Sequence, residues 1–244
     1  MTQNHFGPDV ASRYDADSAA MFAPEVLGPA VDRLAALAGG GPALELAIGT
    51  GRVGLALVAR GVPVTGIELS AAMVEELRAK PGGANLPVTV GDMATTTVDG
   101  TFALVYLVFN TLVNLTSQDA QVDCFANAAG HLDPGGCFVV EVGVPQLRRL
   151  PPGQRANVFA TGATHWGIDE FDVVGQRQVS HHFTATEHGF RLRSIPFRYV
   201  WPAELDLMAR LAGLRLRDRW GDWRGAPFTA DSRSHISVWE KPEA

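Results

Sequence analysis

The sequence predicts an α/β fold, a mostly parallel sheet with helices on both faces. Three observations predict it. Between residues 43 and 142, short apolar runs alternate with segments that are apolar at helical spacing. Strands separated by helices lie parallel, because each crossover returns the chain to the same edge. The first run, Ala43–Ile48, enters the turn Gly49-Thr50-Gly51, and helical spacing resumes over Arg52–Arg60. Glycines at such a turn let the backbone approach a ligand and expose amides at a helix N-terminus. The second run, Val62–Ile67, ends in Glu68, a carboxylate placed at the tip of a second parallel strand. A chain of 244 residues is long enough to bury a core as a single domain over 1–244.

The elements follow in order. Residues 1–40 read as a helical cover after a polar start, with Asp17 or Ser18 capping a helix that contains Ala19, Met21 and Phe22. Val26–Ala38 has apolar residues at 27, 31, 34, 35 and 38 and ends at the loop Gly39-Gly40-Gly41-Pro42. Ser70 caps a helix over Ala71–Ala79, which Pro81-Gly82-Gly83 ends. Leu86–Val90 is a strand ending in Gly91-Asp92-Met93, and Thr101–Phe109 is a strand running into Asn110. Gln118–Leu132 is a helix with Val122, Phe125, Ala129 and Leu132 on one face. His131–Gly136 stops it and turns into the strand Cys137–Glu141. The pattern changes at Pro145. Residues 145–200 read as an antiparallel β insertion after the fifth strand, with strands over Asp169–Val174, Gln176–Thr186 and Phe190–Val200 and a hairpin turn at Glu187-His188-Gly189. A helix over Pro202–Ala212 and the strands Leu214–Trp220 and His235–Glu240 complete the chain.

The glycine turn admits two ligands. Gly49, Gly51 and Gly54 satisfy G-x-G-x-x-G, and Glu68 follows at roughly the distance expected of a dinucleotide site. The same segment also reads E-x-A-x-G-x-G, with Glu45 as its acid. A carboxylate so near a pyrophosphate has no use, whereas the cationic amino group and sulfonium of S-adenosylmethionine (SAM) favour one. A solvated strand-end acid is the bland alternative for Glu45. Further along, Asp92 is placed to accept from an adenine amino group and Met93 to pack on the ring face.

In ELAIGTG, the acidic tip of GIELS, GDM and HLDPGGCFVVE, the chain resembles the class I SAM-dependent methyltransferases over residues 43–142. It is most similar to small bacterial enzymes acting on small molecules, amino-sugar N-methyltransferases among them. The resemblance implies a Rossmann-like sheet of seven strands, the last antiparallel to its neighbours. It implies SAM as cofactor and a small-molecule acceptor, in a setting of secondary metabolism. The cofactor residues expected are Glu45, Ala47, Gly49 and Gly51 on the first strand and turn, and Glu68 and Leu69 after the second strand. Asp92 and Met93, Val108, and a covering Tyr14 complete the set. Ala47 replaces a glycine common in the family. It is expected to sit in ordinary strand dihedrals, where alanine costs little.

Methyl transfer from a sulfonium needs chiefly good positioning, worth about 7–11 kcal/mol of barrier. A general base matters only for a hydroxyl or a protonated amine. Candidates are Glu141, at the ligand end of the fifth strand, and His165 and His182 in the insertion. His181 and His182 point to opposite faces of a strand, so one of them at most faces inward. Asn110, His165, Trp166 and His182 are the expected acceptor contacts. Trp201, Trp220 and Trp223 offer further apolar wall. A core or surface role for the histidines and tryptophans, and a turn role for Asn110, remain open at this level.

Composition narrows the partners. Residues 1–141 hold 6 Lys/Arg and 15 Asp/Glu, and residues 142–244 hold 14 and 11, so no domain is basic enough to suggest nucleic acid. Apolar runs such as Phe102–Phe109 are too short to span a bilayer, and no basic residue precedes Arg13, so neither a membrane segment nor a secretory signal is expected. Cys124 and Cys137 read as buried thiols rather than a disulfide or metal site. A cytoplasmic enzyme, monomer or homodimer, with no metal is expected. An NAD(P)-dependent oxidoreductase and a non-catalytic SAM-binding protein are the alternatives.

Overall fold

The computed structural model describes residues 4–243. Helix α1 (Pro8–Asp17) and helix α2 (Pro24–Ala38) precede the sheet. The first strand β1 (Ala43–Leu46) is followed by the short helix α3 (Gly54–Val58), and β2 (Val64–Glu68) by α4 (Ala71–Arg78). Next come β3 (Val88–Val90), β4 (Phe102–Leu107), α5 (Gln118–His131) and β5 (Leu132–Gly143). Strands β6 (Ala156–Thr161), β7 (His165–Asp172), β8 (Arg177–Thr186) and β9 (Gly189–Arg198) form a separate four-stranded antiparallel sheet. Helix α6 (Pro202–Leu211), β10 (Arg215–Trp220) and β11 (Ser234–Glu240) end the chain.

The main sheet has seven strands in the order β10-β11-β5-β4-β1-β2-β3. The pairs from β5 to β3 are parallel, while β11 is antiparallel to β5 and β10. The carboxyl ends of five strands therefore share one edge, where open α/β sheets bind ligands. Apolar side chains fill both faces. Leu44, Leu46 and Ile67 join the cluster beneath α5 and α6, and Leu34, Leu57 and Leu77 belong to the cluster on the other face. Phe125 is set edge-on to Phe138 and Trp239, with centroids 5.0 and 5.2 Å away. Gly39, in the left-handed region at φ 57°, ends α2, and the Ser70 and Ser117 hydroxyls cap α4 and α5.

Three expectations change. The first helix starts at Pro8 rather than after Asp17, because proline presets φ for the first helical position; Ser18 ends it, and Ala19–Phe22 is a single 3₁₀ turn before Pro24. Asp133–Gly136 is a bulge inside β5, since Leu132 pairs with Phe102 and Cys137 with Leu104. The second sheet gains β6 and an earlier start to β7. Strand β6 lies at the sheet edge with no buried side chain, so its sequence shows no inside–outside alternation.

His235 on β11 is fully buried, with Nδ1 2.8 Å from Ser237 Oγ and Phe228 packed on the ring. Burial, with Arg219 beside it, holds its pKa down at about 4. The unfolded chain takes up the extra proton below about 6.5, so stability falls as pH falls from 6.5 to 4. Urea unfolding across this range should show a loss on the order of 3 kcal/mol assignable to this group. A folded His235→Gln variant should lack that part of the slope, and an unchanged slope would refute the assignment.

Candidate active site

A cavity of about 530 Å³ opens at the carboxyl edge of the main sheet. The strand ends form its floor, the N-terminal segment covers one side, and β8 and β9 form the facing wall. The β1–α3 turn supplies Ala47 and Gly49 to the floor. Ala47, Gly49 and Gly51 have φ of 56°, 58° and 81°. Ala47 is thus in the left-handed region and not in strand dihedrals, so the exchange of glycine for alanine carries a conformational cost.

Glu68 organises this floor. Its Oε2 accepts from the Gly49 amide and its Oε1 from the Ser70 amide, both at 2.8 Å. One carboxylate thereby ties the turn after β1 to the turn after β2. Burial raises the Glu68 pKa, against the pull of the Ser70 and Gly49 N–H groups. Leu69 lines the cavity beside it, and Asp92 and Met93 line it from the end of β3. Asp92 Oδ1 accepts from the Ala94 amide at 2.9 Å, and Asn127 holds the Met93 carbonyl at 2.9 Å.

Glu45 does not reach the cavity. It alternates with Leu44 and Leu46 and faces inward, where its Oε2 accepts from the Tyr106 hydroxyl at 2.8 Å. Burial pushes its carboxyl up to about 8, against the Tyr106 hydrogen bond. A Cβ on Gly54 would come within 2.8 Å of that oxygen, so the third glycine of the motif makes room for Glu45 beneath the turn. Gly51 shapes the turn and Val108 is buried just after β4; neither lines the cavity.

The end of β4 forms a second corner. Phe109 and Asn110 are both left-handed, with φ of 60° and 57°. Glu141 Oε2 accepts from the Phe109 amide and Asn110 Oδ1 from the Gly143 amide, each at 2.8 Å. One Glu141 oxygen is thus engaged by the backbone, and Glu141 is not among the cavity-lining residues. Phe109 and Asn110 do line the cavity, and the Arg52 guanidinium packs 4.9 Å from the Phe109 ring centre.

Tyr14, Val10 and Asp17 of α1 face the cavity, with Phe6 edge-on to Tyr14. Helix α1 is fastened to the glycine turn. Thr50 Oγ1 donates to Asp15 at 2.6 Å, Lys80 pairs with Asp15, and Lys80 Nζ donates to the Thr50 carbonyl at 2.8 Å. From the second sheet, His182, Arg193, Ile195 and Phe197 line the wall. His165 Nε2 lies 3.1 Å from His182 Nδ1, on the same face of the sheet but outside the cavity lining. Trp166 points to the outer face, where it meets Phe190, and His181 bonds Ser194 there. Trp201, Trp220 and Trp223 also stay outside the cavity. Phe6, Arg193, Ile195 and Phe197 are cavity residues beyond those expected. The odd-numbered alternation along β9 was the one signal for the last three. Among the described residues no cluster of His, Cys, Asp or Glu is arranged to hold a metal, and no helix is long and apolar enough to cross a membrane.

This sheet order and crevice are those of a SAM-dependent methyltransferase. Residues 43–136 match the family model described as a methyltransferase domain. The CcbJ methyltransferase from Streptomyces caelestis is similar at 38% identity and a TM-score of 0.79, over 88% of each chain. A cypemycin N-terminal methyltransferase from a Streptomyces species is 28% identical over 81% of this chain and 82% of its own. SAM-bound CalS10, an amino pentose methyltransferase from Micromonospora echinaspora, shares the fold at a TM-score of 0.67 and 21% identity, over 93% and 96% of the two chains. The chain belongs to the SAM-dependent methyltransferases, and the nicotinamide and non-catalytic alternatives fall away. The floor fits that donor: Ala47 and Gly49 present little side-chain bulk, and Glu68 and Asp92 flank them with negative charge suited to a cationic nucleoside.

Ala47→Gly should remove a left-handed strain of about 1–2 kcal/mol, partly offset by about 0.5–1 kcal/mol of added chain entropy. Denaturant unfolding should show a net gain of up to about 1.5 kcal/mol; a loss would contradict the left-handed turn.

Proposed function

We propose that the chain transfers the methyl group of SAM to a small organic acceptor held between the strand ends and the second sheet. The observation that carries this reading is the continuity of one cavity from Glu68 and Asp92 to His182 and Phe197. The floor suits the donor, while the wall offers polar and apolar groups for a second molecule. The similar enzymes act on natural products by name, an amino pentose and cypemycin among them, which supports an acceptor from secondary metabolism. The reading includes a cytoplasmic enzyme, monomer or homodimer, without a membrane partner; the acidic first half weighs against a nucleic-acid partner.

The bound donor supplies an activated methyl group whose leaving group is a neutral thioether. The protein's part is binding and orientation. Each Glu68 oxygen uses one lone pair on an amide and keeps another for a ribose hydroxyl. Asp92 accepts from the adenine amino group and Met93 packs on the ring. Helix α1 excludes water above the site, and the Phe109-Asn110 corner sets the acceptor against the floor.

Glu68→Ala should weaken SAM binding about ten- to a hundredfold in calorimetry, the loss expected for charged hydrogen bonds of roughly 1.5–3 kcal/mol. An unchanged dissociation constant in the folded variant would sink the ribose assignment. Amide exchange over residues 5–17 should slow when SAM or its demethylated product binds, because this segment covers the cavity. Identical exchange with and without ligand would show that it does not close over the donor.

A further inference from the structure

The inner face of β8 and β9 carries a basic pair that the donor-binding residues leave unused. His182 on β8 stands directly opposite Arg193 on β9, and both line the cavity. Directly opposed residues have Cβ atoms about 4.5–5.5 Å apart, so their heads can reach one ligand group. Arg191 shares the face one pair further along, opposite Thr184. The acids of the cavity lie elsewhere, Glu68 and Asp92 at the strand ends of the main sheet and Asp17 at the end of α1. Asp169, on the inner face of β7, is engaged by the Ser180 hydroxyl and does not line the cavity.

Among the described residues Arg193 has no carboxylate partner. Its Nη2 donates to the His5 carbonyl at 3.0 Å, which leaves the rest of the guanidinium fork for a ligand. His165 holds Nδ1 of His182, so Nε2 is the ring nitrogen left to a ligand. Burial, then His165 and Arg193, keep His182 below its ordinary pKa. Near neutral pH the ring is a hydrogen-bonding group, and Arg193 brings the charge.

We propose that Arg193 and His182 form an oxyanion-recognition site at the acceptor end of the cavity, so that the methyl acceptor is a small molecule bearing a carboxylate or phosphate. The proposal rests on reading this cavity as the methyl-transfer site. A guanidinium fork matches either anion with two parallel hydrogen bonds. The same charge that attracts an anion to this wall is matched by repulsion from Glu68 and Asp92 at the floor. Attraction at one end and repulsion at the other fix which end of the acceptor points toward the donor.

The test uses the full chain, labelled at histidine and saturated with S-adenosylhomocysteine. Benzoate and, separately, inorganic phosphate are titrated in while the His182 ring resonances are followed by NMR. At least one anion should give a saturable shift, and Arg193→Met should weaken that response at least tenfold. A response to benzoate alone identifies a carboxylate site, and to phosphate alone a phosphate site. Affinity for S-adenosylhomocysteine is measured in each variant and the anion titration is run at saturation of each, so that loss of the Arg193 hold on the His5 carbonyl is separated from loss of the anion site. Should Arg193→Met fail to fold, Arg193→Gln supplies the same comparison. No His182 response in wild-type protein that binds S-adenosylhomocysteine overturns the proposal, as does an equal response in the Arg193 variant. Wild-type protein that cannot bind S-adenosylhomocysteine overturns the donor reading instead, a separate and recognisable result.

Discussion

The site depends on one carboxylate meeting two backbone amides. Glu68 receives the Gly49 and Ser70 N–H groups, which belong to loops after two different strands. Parallel strands bring these loops to the same edge but do not fix their distance from each other. The carboxylate does, and it satisfies two amides that would otherwise be buried at the loop ends. A second carboxylate repeats the device at β4 and β5, where Glu141 receives the Phe109 amide. In both places a side chain that looks available for chemistry is partly or wholly committed to backbone geometry.

Strain concentrates at these same points. Ala47, Phe109 and Asn110 are non-glycine residues at positive φ, and all three line the cavity. Such conformations persist only where surrounding bonds over-determine them. Around Asn110 they do: its amide donates to the Glu141 carbonyl at 3.1 Å while its side chain receives the Gly143 amide. Hydrogen bonds within the chain hold the floor in this form.

What was legible in the sequence was what is local. The glycine turn, the acid ending β2 and the Gly91-Asp92-Met93 end of β3 are each contained in a few residues, and all lie where the strand–helix alternation places them. Ser70 was legible as a cap for the same reason. The direction of Glu45 was not, because alternation assigns it to a face but not to Tyr106, a partner on the neighbouring strand. Glu141 could be put at a strand end, yet its amide partner depends on how β4 turns. The cavity wall was least legible. Arg193 and Phe197 meet Tyr14 and Phe6 only when a late hairpin folds back over the first residues of the chain.

The fastening of the N-terminal segment has a practical corollary for anyone handling the protein. His5 and Phe6 line the cavity, and the segment is tied down by Arg193 at the His5 carbonyl and by Ser70 at the Phe6 carbonyl. Foreign sequence fused shortly ahead of His5 would lie close to the cavity mouth and compete for the surface that the segment covers. Glu243, in contrast, lies beside Gly135 at the beginning of β5, the opposite edge of the sheet. Appending sequence at the carboxyl terminus leaves the mouth of the site as the chain itself builds it.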